Sequence, residues 1–182
     1  PTLDAMTHVG SYLAETVTCL VLLVVLTVAL RLWLGRWRES WALVAALVGE
    51  LLVFLAVTAV VNRPRPVVPH LDAAPPTSSF PSGHTGAAVA LYGCLAVMAL
   101  RQLRPRWFAV MVGALLCLVP VAVGVSRLYR GMHHPTDVVF GALGAGLWLA
   151  VVLSTLLPRA RHDVAPAVPP DAHDEPESLL AT

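Results

Sequence analysis

Apolar residues run through this chain in five long blocks, about Ser11–Leu34, Trp41–Val61, Gly83–Leu100, Trp107–Val125 and Val138–Leu157. A helix needs about 20 residues to cross a bilayer, and the blocks meet or approach that length. The third is the shortest, and Pro81-Ser82 extends it at its mouth. The blocks are apolar all round rather than striped, as expected of helices that face lipid or one another. They predict an all-α, polytopic transmembrane bundle with five spans, one membrane-embedded domain over residues 1–157. Residues 158–182 are rich in Pro, Ala and acids with no apolar period, which predicts a disordered tail. Gly83, Gly86, Ala87 and Ala88, and again Gly141, Gly144, Ala145 and Gly146, place small residues where helices approach closely.

Composition agrees with this pattern. The 182 residues are 57% hydrophobic and 13% charged, where a soluble domain has about a quarter charged. A formal net charge of +1 gives no bulk attraction for nucleic acid. Cys19, Cys94 and Cys117 all lie within apolar blocks, an odd set that reads as packing residues rather than disulfides or metal ligands. The sequence carries no signal for an oligomeric state.

All twelve basic residues are arginine, an Arg-for-Lys bias that GC-rich bacterial codons would give. Arg31, Arg36 and Arg38, then Arg101, Arg104 and Arg106, then Arg159 and Arg161 follow blocks one, three and five. Alternation puts these eight on one side, which the positive-inside rule makes cytoplasmic, together with the C-terminus. Trp33, Trp37, Trp41 and Trp107 flank the same ends, as interfacial anchors do. The expected setting is a bacterial plasma membrane.

Arg63, Arg65, Arg127 and Arg130 fall on the other, extracytoplasmic side, against the rule. Each lies in or beside one of three polar segments, Asn62–Pro66, Phe80–Gly86 and Ser126–Asp137. Polar groups at membrane depth are costly unless paired or wetted, so these arginines read as an anion-binding set. Ser82-Gly83-His84 opens the third span, with free N–H groups at a positive dipole end. Arg65 and Arg127 offer planar forks to phosphate oxygens. His133 stands four residues before Asp137. With a helix starting near Pro135, the carboxylate can reach one imidazole nitrogen and leave the other free to attack. His84 is then a second histidine, placed to give a proton to a leaving oxygen.

Each fragment alone has a plain structural alternative, a helix cap above all. Their conjunction on one membrane face points to phosphate chemistry. His70 and Asp72, in the Pro-rich loop 62–80, read as solvated loop residues, and Glu15 as an interfacial one. Glu50, the one acid deep in a span, reads equally as a functional or a hydrogen-bonded structural carboxyl.

The three segments resemble the signature of the type-2 phosphatidic acid phosphatase superfamily, whose core is shared with vanadium haloperoxidases: Lys-x6-Arg-Pro, Pro-Ser-Gly-His and Ser-Arg-x5-His-x3-Asp. Pro81–His84 and Ser126-Arg127…His133…Asp137 match fully. In the first motif Arg65-Pro66 matches, but Thr58 stands where the family has lysine. The resemblance covers roughly Trp41 to Leu157. Because the family usually has six spans, it also implies that a first, N-terminal span is absent from this fragment, which begins at Pro1.

The resemblance implies a metal-independent membrane hydrolase with no cofactor, acting on a lipid phosphate or polyprenyl (di)phosphate. His133 would be the nucleophile that forms a phosphohistidine, oriented by Asp137. His84 would protonate the leaving group and later activate water. Arg65, Ser82, Gly83 and Arg127 would hold the phosphate, with Arg63, Arg130 and Thr58 as auxiliary positions and His134 a bystander. Two alternatives share the motifs: a phosphotransferase using the same intermediate, and a non-catalytic binder or transporter of lipid phosphates in which Thr58 marks lost turnover.

Overall fold

The computed structural model describes residues 2–74 and 77–157. The expected tail, 158–182, lies outside the described residues. Six helices follow one another: α1 Thr2–Tyr12, α2 Thr16–Leu34, α3 Arg38–Val60, α4 Gly83–Gln102, α5 Arg106–Tyr129 and α6 Pro135–Leu156. The five helices α2 to α6 are long and apolar enough to span a membrane, and the described residues form no strand. The all-α, five-span architecture is therefore as the hydrophobic pattern predicts, with boundaries shifted by a few residues.

The first block differs. Its first residues belong to a separate helix, α1, and the chain breaks over 13–15 before α2 begins. The 11-residue α1 is too short to cross a bilayer. Leu3, Met6, Val9 and Tyr12, three apart in sequence, form an exposed apolar face. Its opposite side packs on the end of α5, with Gly10 and Ser11 buried. The Tyr92 hydroxyl of α4 donates to the Leu13 carbonyl (2.8 Å) and pins the break.

The central helix is α4, which touches α3, α5 and α6. Its small residues permit this: Ala88, Ala90 and Cys94 are fully buried, with Leu91 among them and Leu43 and Val123 packed against the group. By contrast α2 is peripheral and shows Val17, Val21, Val24 and Val28 on its outer surface, an apolar face suited to lipid. The two buried cysteines, Cys19 and Cys94, and the exposed Cys117 are all free. The N-cap of α4 meets the second turn of α6 at Gly141, where an added Cβ would fall 2.7 Å from the Ser82 carbonyl oxygen. This contact joins the second and third polar segments.

Candidate active site

Asp137 ties the three polar segments together. It is fully buried in the first turn of α6. One carboxylate oxygen accepts from Arg63 Nη1 at 2.6 Å, which brings in the first segment. The other accepts from the Ser79 hydroxyl and from the His134 amide (2.8 Å). The Asp137 backbone carbonyl accepts from the Ser82 amide at 2.9 Å. With Pro135 at the first helical position and His134 as N-cap, the helix starts where the sequence places it.

That start leaves His133 outside the helix, so the side-chain reach of an i,i+4 helical pair is not available. The expected direct hydrogen bond from Asp137 to its ring is accordingly not formed. His133 Nδ1 lies 3.8 Å from Asp137 Oδ2 and instead donates to the Ser79 carbonyl at 2.7 Å. Asp137 meets His133 through Ser79, whose hydroxyl it holds. With Nδ1 engaged as a donor, Nε2 carries the lone pair. Burial pushes the His133 pKa down to about 4, helped by the charges of Arg127 and Arg65 and opposed by the Ser79 carbonyl. The ring is neutral near pH 7.

His133 lines a cavity of about 660 Å³ together with His84, Arg65, Arg127 and Gly83. The His84 ring forms no hydrogen bond with the described residues and is open to a molecule in the cavity. Arg65 spends Nη1 on the Met132 carbonyl (2.8 Å), and Arg127 spends Nη1 on Ser11 (2.7 Å) and Asp72 (2.9 Å). Both keep a buried Nε with no partner. Unspent donors of this kind are expected where a ligand is to be received. Burial lowers the Arg65 pKa, with Asp137 opposing.

The remaining sequence candidates sit elsewhere. Ser82 is fully buried but does not border the cavity, and its hydroxyl pairs with Thr85 (3.0 Å) rather than capping α4. Thr58 also lies off the cavity, its hydroxyl buried and unpartnered. Arg63 is committed to Asp137 and Thr136, and Arg130 to Asp72. Asp72 corrects the solvated-loop expectation. It accepts from both Arg127 and Arg130, and the Arg130 hydrogen bonds hold its carboxyl below the usual range. Of the acids on this side of the bundle, Asp72 stands closest in sequence to Arg63 and Arg65. The need of four arginines for counter-ions was the available signal. His70 stays exposed, its ring against the Pro66 carbonyl (3.1 Å).

A family model described as the PAP2 superfamily matches residues 39–161. The chain belongs to the PAP2 superfamily. Among solved structures, a transmembrane PAP2-type phosphatidylglycerolphosphate phosphatase from Bacillus subtilis is 25% identical, covers 84% of this chain and 75% of its own, and superposes with a TM-score of 0.78. LpxE of Aquifex aeolicus is 24% identical over 85% of this chain and 87% of its own, with a TM-score of 0.65, a likeness of fold. Comparison with curated proteins gives no match. As a PAP2 superfamily member, the chain is an integral membrane phosphatase, a hydrolase of phosphoric esters or diphosphates.

Proposed function

We propose that this protein hydrolyses a lipid phosphate monoester or a polyprenyl diphosphate at the membrane–water interface through a phosphohistidine on His133. The observation that carries this reading is the cavity that brings His84 and His133 together with Arg65 and Arg127, two arginines that each keep a free Nε. Charge developing on the phosphoryl oxygens meets preorganised cations and the first amides of α4. His133 Nε2 forms the bond to phosphorus while the ester P–O bond, or in a diphosphate the anhydride P–O bond, breaks, and His84 gives its proton to the departing oxygen. His84 then takes a proton from water, whose oxygen attacks phosphorus, and the P–N bond breaks to release phosphate. The Ser79 carbonyl holds the Nδ1 proton throughout, which keeps the ring in the attacking tautomer. Below the polar mouth the cavity is walled by Leu20, Leu23, Leu47 and Leu51, a surface suited to a lipid chain.

The arginine asymmetry along the sequence supports a site on the extracytoplasmic face. Phosphatidylglycerol phosphate, the substrate class of the Bacillus subtilis relative, joins phosphatidic acid and polyprenyl diphosphates as candidates. The test is phosphate release from these three lipids by the purified chain in mixed micelles. The expected outcome is turnover that survives EDTA and disappears in His133→Ala. Turnover by the alanine variant, or loss with chelator, would sink the metal-free phosphohistidine route. Transfer of the phosphoryl group to an added lipid alcohol in place of water would identify a transferase.

A further inference from the structure

Glu50 stands midway along α3, and no step of the mechanism above uses it. It is only 7% exposed and makes no hydrogen bond or ion pair with the described residues. The carboxyl rests on α4 at Gly86, where an added Cβ would collide with Oε1. Gly86 follows His84 by two residues, about 3 Å of helix rise. The carboxyl therefore borders the main cavity just beneath the histidine assigned to the leaving oxygen, where the lining turns from charged to apolar. On its other side lies a smaller cavity of about 190 Å³ between α3 and α6. That one offers no donor, because its Trp148 N–H is already given to the Ala45 carbonyl (3.0 Å).

A carboxyl accepts a hydrogen bond whether or not it is ionised, and a buried acceptor left without a donor is destabilising. The carboxyl oxygens stay accessible from the cavity, so the donor is water or a group of the molecule that displaces it. With the phosphate held by His133, His84, Arg65 and Arg127, the first carbons of the alcohol pass Glu50 on their way to the apolar wall. A hydroxyl on the carbon next to the phosphorylated one lies two carbons from the ester oxygen, a separation of the same order as the step from His84 to Gly86. Building on the lipid-phosphatase reading, we propose that Glu50 is a specificity residue that accepts a hydrogen bond from a vicinal hydroxyl or amide N–H of the substrate. Lipid phosphates carrying that donor are preferred over those whose neighbouring oxygen is esterified and over polyprenyl chains, which have none.

The test compares kcat/KM of the full chain on 1-acylglycerol 3-phosphate and on its 2-deoxy analogue, which differ by one hydroxyl. The wild type is expected to favour the hydroxylated lipid by on the order of tenfold. Glu50→Leu should bring that ratio to within about twofold, and Glu50→Gln, which keeps an acceptor, should retain most of it. Gly86→Ala displaces the carboxyl without removing it and should fall between the two. The ratio is insensitive to partial misfolding, which lowers both rates together. An active wild type with no preference, or a Glu50→Leu enzyme that keeps the wild-type ratio, overturns the assignment and leaves the carboxyl to water. No release from either lipid by the wild type counts against the phosphatase reading, and the inference falls with it.

Discussion

Arg63 and Arg130 close their guanidinium groups on the carboxylates of Asp137 and Asp72, and Arg130 does so through two nitrogens. Arg65 and Arg127, by contrast, each retain a buried Nε without a partner and border the cavity. All four follow the same sequence logic, arginines in or beside the polar segments that join the spans. What separates them is the balance of donors. A saturated guanidinium holds segments together, whereas an unsaturated one beside a cavity is positioned for a ligand. Arg127 does both, since its Nη1 also anchors Asp72 and Ser11.

The division is sharpest where covalent chemistry is assigned. Replacing His133 by alanine is expected to lower kcat by at least about 10⁴-fold. Wild-type enzyme quenched in alkali, where the P–N bond survives, should yield a phosphohistidine that the variant lacks. A smaller residual effect would reassign the nucleophile. Next come the arginines. Arg127→Ala and Arg65→Ala should each cost roughly 10²–10³ in kcat/KM, as for removal of a preorganised donor to a developing oxyanion. Arg130→Ala should instead lower thermal stability by about 1–3 kcal/mol with a milder kinetic effect, because it breaks a clamp on Asp72. Equal kinetic losses at positions 127 and 130 would erase the distinction.

Protonation offers a subtler probe. With its pKa pushed down to about 4 by burial, His133 in the ligand-free protein should remain neutral at about pH 5.5, where an ordinary imidazole is mostly charged. Nitrogen-15 histidine spectra would show the Nδ1–H tautomer at that pH, and an imidazolium signal for His133 would contradict the burial argument. The sign for stability follows. The unfolded ring takes up a proton near its ordinary value and the folded one does not, so this contribution is complete above about pH 6.5 and is lost as pH falls toward 4. The smallest effect is expected from Thr58→Lys. Position 58 does not line the cavity, so KM should change only slightly. A drop of about tenfold would bring position 58 into the phosphate site.

Much of this was legible in the sequence. The five spans could be drawn because uninterrupted apolar blocks end at arginines and prolines, and the backbone ends its helices at nearly the same places. His84, His133, Arg65 and Arg127 were found by motif, and all line one cavity. The misses have physical causes. The α1 helix is a short amphipathic element whose period of three was hidden beside a much longer apolar run. Asp72 sits in a Pro-rich loop with no periodicity, and only tertiary contact shows which arginines it serves. Ser79 escaped because it acts through a backbone carbonyl, which any residue possesses. Asp137 was identified, but its reach was drawn as though His133 were helical.

The two helices that precede the motif-bearing ones are not spectators. His8, Ser11, Glu15, Thr16, Cys19 and Leu23 of residues 2–34 line the same cavity as His84 and His133, and Ser11 holds Arg127. Part of the apolar wall, Leu20 and Leu23, thus lies in a stretch of sequence separate from His84 and His133, while Leu47 and Leu51 belong to α3. Such a molecule can change its diet without changing its chemistry. Grafting a relative's first two helices onto the rest of the chain, with Ser11 kept to hold Arg127, is expected to shift substrate preference while His84, His133, Arg65 and Arg127 keep their places.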